Sequence, residues 1–231
     1  MRAGVRLWLL GWLAAATLAS CGEPTYSIRR SLQVGERWHY TLTLQATLRE
    51  HTDTLQLTYT DTVQRVAPDG SAIAERTLQA DAKTLKQLQA FVAPLGTLKR
   101  TTRWKLLPDG RETPLEPAGF FIGAFTYAYP DRPVRKGAQW GRLDGFGSLS
   151  VKYLCRFEGV ETVEGVPCYK IHTQVEPMPD SLPQMRGEMI VYVDQARGWT
   201  RRIEGTLNMQ AGTLKGKFEL DLRGAPLQVS P

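Results

Sequence analysis

The sequence predicts a mainly β fold, an antiparallel meander curled into a half-barrel with one or two short helices. Three observations carry this. Apolar and polar residues alternate with period two over most of the chain. Turn residues separate the alternating runs. Two segments break the alternation, and they supply the helical or capping elements.

The runs follow in order. Trp38, Tyr40, Leu42, Leu44, Ala46 and Leu48 share one face, with His39, Thr41, Thr43, Gln45 and Thr47 on the other. Leu55, Leu57 and Tyr59 continue the pattern. Pro68-Asp69-Gly70 is a turn, and a strand near Ile73 to Leu78 follows. Pro108-Asp109-Gly110 is a second turn, after the run Leu98 to Leu107. Further on, Leu149, Val151, Tyr153, Cys155 and Phe157 alternate with polar residues. "EMIVYVD" (188–194) is apolar on both faces and reads as a central strand. Two last runs, Trp199 to Met209 and Leu214 to Leu222, alternate again, with short turns at 195–198 and 210–212.

Ala82 to Val92 breaks the period. Leu85, Leu88, Phe91 and Val92 fall at helical spacing, Asp81 is a candidate N-cap, and Pro94 and Gly96 are stops. Residues 117–130, "PAGFFIGAFTYAYP", lie between two prolines and read as a short helix or an apolar flap. Gly35-Glu36-Arg37-Trp38 and Gly137-Ala138-Gln139-Trp140 each open a long β run, a weak internal repeat. Strands with one apolar face must bury it. They can pair into a sandwich, close into a barrel or curl around the helical segments, and the curled half-barrel is the economical solution.

The first 20 residues have the parts of an export signal. Arg2 and Arg6 are the positive region, and Leu7 to Leu18 is an apolar region too short to span a bilayer as a helix. Leu18-Ala19-Ser20-Cys21 resembles the lipobox of bacterial lipoproteins. That resemblance implies cleavage before Cys21, a diacylglyceryl thioether on Cys21 and acylation of the new amine. Two or three chains anchor stably where one is marginal. The expected organisation is a signal peptide over 1–20, a lipidated tether over 21–31, one β-rich domain over 32–224 and a tail over 225–231. Gly22, in place of Asp, is compatible with an outer-membrane lipoprotein facing the periplasm if the cell has two membranes.

The mature chain of about 211 residues suffices for one core. Removing Arg2 and Arg6 from the 29 Lys+Arg leaves 27 against 23 Asp+Glu, a net +4. The basic residues alternate along strands without forming a stripe, so nucleic acid is not an expected partner. Cys155 and Cys168 remain as an even pair in an oxidising compartment. A disulfide between them is conceivable, but strand parity sets Cys155 with Tyr153 and Phe157, and Cys168 with Lys170 and His172, on the other face. A bulge at Gly159 would be needed to reverse this.

"YLCRFEGVETVEGVPCYKIHTQ" (153–174) and "GEMIVYVDQARGWTRRIE" (187–204) resemble the carboxy-terminal half of exported half-barrel proteins of the LolA/LppX-like lipoprotein-carrier type. "YPDRPVRKGAQW" (129–140) resembles an element of uncharacterised bacterial exported domains. The first resemblance implies a concave apolar surface, covered by helices, able to hold acyl chains. Its candidate lining residues here are Trp38, Tyr40, Leu42, Leu44, Tyr153, Phe157, Val191 and Ile203, with Phe120, Phe121 and Phe125 from the flap. The same residues would equally pack a filled core.

Catalytic patterns are missing from the sequence. His39, His51 and His172 are scattered, with no second ligand nearby in sequence. The Gly-x-Gly of "GFGSLS" (145–150) precedes a strand and so lacks a helix N-terminus for phosphate. The aspartates sit mostly in turns. The expectation is a non-enzyme without cofactor or metal. It is a membrane-anchored lipoprotein that binds lipid or another apolar ligand, or a structural lipoprotein with a filled core that docks an envelope protein.

Overall fold

The structure, a computed structural model, describes residues 23–48, 51–92, 99–115, 129–146, 149–179, 181, 184–211 and 214–227. Cys21 and the flap residues Phe120, Phe121 and Phe125 lie outside the described residues.

Period-two alternation becomes one antiparallel sheet of 11 strands. In chain order these are β1 (Arg37–Leu48), β2 (His51–Val66), β3 (Ala72–Gln79), β4 (Thr101–Leu106) and β5 (Glu112–Pro114). They continue as β6 (Gln139–Phe146), β7 (Leu149–Val163), β8 (Val166–Pro177), β9 (Gln184–Asp194), β10 (Thr200–Ala211) and β11 (Leu214–Pro226). The spatial order is β5-β4-β3-β2-β1-β11-β10-β9-β8-β7-β6. Two meanders therefore meet at the β1–β11 pair, and the sheet stays open between β5 and β6. The helix α1 (Ala82–Val92) lies where the sequence predicts it. Asp81 caps it, accepting from the Thr84 N–H at 2.7 Å.

The sheet is strongly curled. Consecutive residues Arg30 and Ser31 donate their N–H groups to Pro108 O in the β4–β5 turn and to Arg197 O in the β9–β10 turn, each at 2.9 Å. Those turns are six strand spacings apart, roughly 29 Å on a flat sheet at about 4.8 Å per strand. Only curling brings both within reach of one dipeptide. Inward-facing Gly187 and Gly205 permit it, since a Cβ at either would overlap the backbone of the neighbouring strand. The concave face holds one continuous core running from β1 to β11.

The segment before β1 differs from the expected tether. Ile28 and Arg30 are buried, and Tyr26 pairs with Val134 through two backbone hydrogen bonds of 2.8 and 2.9 Å. Residues 26–36 thus form a strap that seals one end of the half-barrel. At the C-terminus, β11 runs through Pro226, and the Leu227 N–H bonds to Arg37 O, so the expected tail begins later. The internal repeat is geometric. Glu36 N–H bonds to Gln33 O at 3.1 Å and Ala138 N–H to Arg135 O at 3.0 Å, around Gly35 (φ 81°) and Gly137 (φ 83°). Each turn then pairs with the second strand of its own meander, at Val63 and at Phe157. Positive φ at the third turn position is the reason both are glycine.

Gly198 carries the tightest contact of the seal. Its φ is 70°, and a Cβ there would overlap the Arg29 carbonyl. The Tyr129 hydroxyl donates to its carbonyl. Gly198→Ala is expected to cost at least about 1–3 kcal/mol from the backbone conformation alone, read as a lower denaturant midpoint at unchanged slope.

Candidate functional site

The concave face divides into two parts. At the strap end it contains charge. Asp61 and Arg76 occupy inward positions directly opposite each other on β2 and β3. Arg76 grips Asp61 with two hydrogen bonds, Nε to Oδ1 and Nη2 to Oδ2, the latter 2.6 Å. Arg76 Nη2 also reaches Glu112 Oε2 on β5 at 3.0 Å, and Arg30 Nη2 of the strap reaches Glu112 Oε1 at 3.0 Å. Both guanidinium groups lie against aromatic rings. Arg30 Cζ is 5.0 Å from the Trp199 ring centre, and Arg76 Cζ is 4.9 Å from Tyr59 and 5.3 Å from Trp104. Trp38 stacks on Trp199 at 5.3 Å and Tyr40 on Tyr59 at 4.8 Å, which completes the wall.

Two cations and two carboxylates make this cluster neutral. Burial alone would raise the Glu112 carboxyl, but the Arg76 and Arg30 charges and their hydrogen bonds outweigh it and hold it below the usual value. Burial raises the Asp61 carboxyl against the pull of Arg76. Burial also pushes the Tyr40 and Tyr59 hydroxyls well up, so both are neutral donors at physiological pH. Arg76 stays charged. With each charge matched by its neighbour, the arrangement joins three strands and the strap.

Away from the strap the buried part of the inner face is apolar. Leu42, Leu44, Leu57, Leu207, Phe218 and Leu220 are buried there, with Met185 directly opposite Met209. Among the expected lining residues, Trp38, Tyr40, Leu42, Leu44, Tyr153, Phe157, Val191 and Ile203 all face inward and are buried. They divide between the aromatic strap end and the aliphatic end. The described residues also line an open groove of about 490 Å³ near the β10–β11 end, with Thr47, Arg186, Asn208 and Lys217 on its walls. It lies on the polar side of the sheet.

The remaining candidates stand apart. Cys155 and Cys168 are both free and buried, and no disulfide joins them. The bulge at Gly159 exists, yet Cys155 opposes Thr173 on the inner face while Cys168 opposes Glu161 on the other. Burial lifts the Cys168 thiol to about 11, so it is an inert protonated group. His39 contacts Thr60, His51 contacts Asp53 and His172 contacts Glu188, at three separate places. Among the described residues no group of three His, Cys, Asp or Glu is placed to hold a metal ion.

No protein-family model matches the chain, and no curated protein matches it. Solved structures do match, three of them as follows. One, from Bacteroides fragilis, is described as an exported protein with a YmcC-like fold; it has 16% identity, 84% of this chain and 97% of that one covered, and a TM-score of 0.39. A second, from Vibrio parahaemolyticus, is described as an outer membrane lipoprotein-sorting protein domain; it has 11% identity, 84% and 87% covered, and a TM-score of 0.25. A third, a DUF1329 family protein from Desulfovibrio piger, has 10% identity, 82% and 85% covered, and a TM-score of 0.23.

Arg76→Met leaves two buried carboxylates facing one guanidinium and is expected to cost about 3–5 kcal/mol of stability. Asp61→Leu combined with Arg76→Met removes the opposed pair together and recovers most of that loss, measured by chemical denaturation. A lowered carboxyl pKa contributes stability that is present above the ordinary carboxylate value and lost as pH falls through the folded value. Glu112→Gln is therefore expected to flatten the loss of stability below about pH 4, seen as a shallower fall of the midpoint with pH.

Proposed function

We propose that this chain is an exported, lipid-anchored, non-catalytic envelope protein that holds an apolar ligand of acyl-chain type in the aliphatic part of its half-barrel. The observation that supports this reading most is the division of the concave face. Among the described residues, the buried charged groups of the inner face sit at the strap end. The other end offers Leu, Phe and Met side chains, and unbranched Met adapts its shape to a guest at small cost. The lipobox at Cys21 supplies the anchor.

The burial of all eight described lining residues favours a second reading, a filled core on a protein that docks an envelope partner. The two differ in what co-purifies. Full-length protein from a lipidating host is expected to show one non-covalent acyl lipid by native mass spectrometry, lost on denaturation, beside the covalent lipid on Cys21. Met209→Trp, at a half-buried inner position, is expected to lower that occupancy several-fold with little change in stability. An apo mass without uptake of a fluorescent fatty acid would leave the filled-core reading standing. Cys21→Ser is expected to abolish the covalent mass and release the protein from membranes.

A further inference from the structure

The strap fixes where the anchor leaves the domain. Tyr26 is held against Val134, and Cys21 is five residues earlier, at most about 18 Å along an extended chain. Whatever surface Cys21 is anchored in must lie next to the residues around Val134. That stretch is Asp131-Arg132-Pro133-Val134-Arg135-Lys136, in which Arg132, Arg135 and Lys136 are exposed. Arg29, also exposed, joins them by donating to the Asp131 carbonyl at 2.7 Å. Among the described residues none of Arg132, Arg135 and Lys136 forms an ion pair, in contrast to most cations on the polar face of β7, β8, β10 and β11. There Lys152, Arg156, Lys170, Arg202, Lys217 and Arg223 each have a carboxylate.

A second observation falls at the same end. Val34 (66% exposed), Val160 (44%) and Leu227 (38%) are large apolar side chains left in solvent. Val34 precedes β1, Leu227 bonds to Arg37 at the start of β1, and Val160 lies near the β7–β8 turn. Unpaired cations beside exposed apolar residues match a bilayer interface, with phosphate for the first and the acyl boundary for the second.

We infer that the strap end is a membrane-docking face, and that Arg132, Arg135 and Lys136 bind anionic phospholipid headgroups there. The sheet then stands with its strands pointing away from the bilayer, and the aliphatic end of the half-barrel faces outward. This rests on the lipid-anchored reading above for its orientation, though the headgroup contact itself does not need the anchor.

The test uses full-length protein in phosphatidylethanolamine vesicles with or without a quarter phosphatidylglycerol, carrying a headgroup-labelled acceptor. Donor dyes go on Gln139→Cys at the start of β6, beside the strap, or on Gln210→Cys at the far end of β10; Gln139 is level with Glu204 in the register, so the two lie roughly 20 Å apart along the strand direction. Strong energy transfer from 139 and weak transfer from 210 is expected. Arg132→Glu, Arg135→Glu and Lys136→Glu together should reduce the difference on anionic vesicles to its value on neutral ones. Equal transfer from both positions, or no dependence on phosphatidylglycerol, overturns the inference. Failure of the anchor is read separately, as a Cys21 peptide of unmodified mass. In that case low-salt flotation decides: the triple variant should lose roughly a hundredfold in binding to anionic vesicles, at about fivefold per cation, and unchanged binding overturns it.

Discussion

The buried alliance of Arg30, Glu112, Arg76 and Asp61 is the constraint from which the architecture follows. An isolated ion in this interior would cost several kcal/mol, so each member requires the others. Arg30 comes from the strap, Asp61 and Arg76 from adjacent strands, and Glu112 from a three-residue edge strand. The short β5 has little else to hold it, with backbone pairing to β4 alone. Its carboxylate, gripped from both sides, fixes the edge of the sheet to the strap. The strap in turn bonds to the β9–β10 turn. One neutral cluster thus ties a sheet edge to a distant turn and sets how far the sheet curls.

Closure at one end gives the half-barrel a polarity. The aromatic stacks and the charges occupy the strap end, where Trp38, Trp199, Tyr40 and Tyr59 fill the space around the guanidinium groups. Aliphatic and thioether side chains occupy the other. Gly187 and Gly205 let β9 and β10 approach closely enough for the curl. Any guest would meet an apolar wall at one end and a sealed, charge-neutral floor at the other.

Much of this was legible in the sequence, because alternation reports directly on a sheet with one wet face. The run Trp38 to Leu48, the helix with its Asp81 cap and the central strand at 188–194 all follow from local pattern. The paired Gly35 and Gly137 turns were visible as a repeat. The charge cluster was not singled out, although its signal was present. Asp61 and Arg76 fall on the apolar parity of β2 and β3, where Tyr59 and Val63 or Ala74 and Leu78 flank them. A charge out of phase on each of two neighbouring strands asks for a partner. Arg30 and Glu112 carry no comparable local signal, since a strap and a three-residue strand have too few residues for periodicity. Only tertiary contacts could assign them.

The central seam of the sheet has a consequence for how the chain reaches this state. β1 pairs with β11, so Trp38 lies opposite Pro226, almost the full length of the sequence away. Each meander pairs strands that are neighbours in sequence and has low contact order, whereas the seam has the largest sequence separation of any strand pair in the sheet. The two meanders can form early and independently. Until the last strand arrives, however, β1 is an open edge lined by Tyr40, Leu42 and Leu44, the kind of template on which unfolded chains associate. Completion of this fold is therefore a single late event at one strand pair, and the window before it is when the chain is most exposed to misassembly.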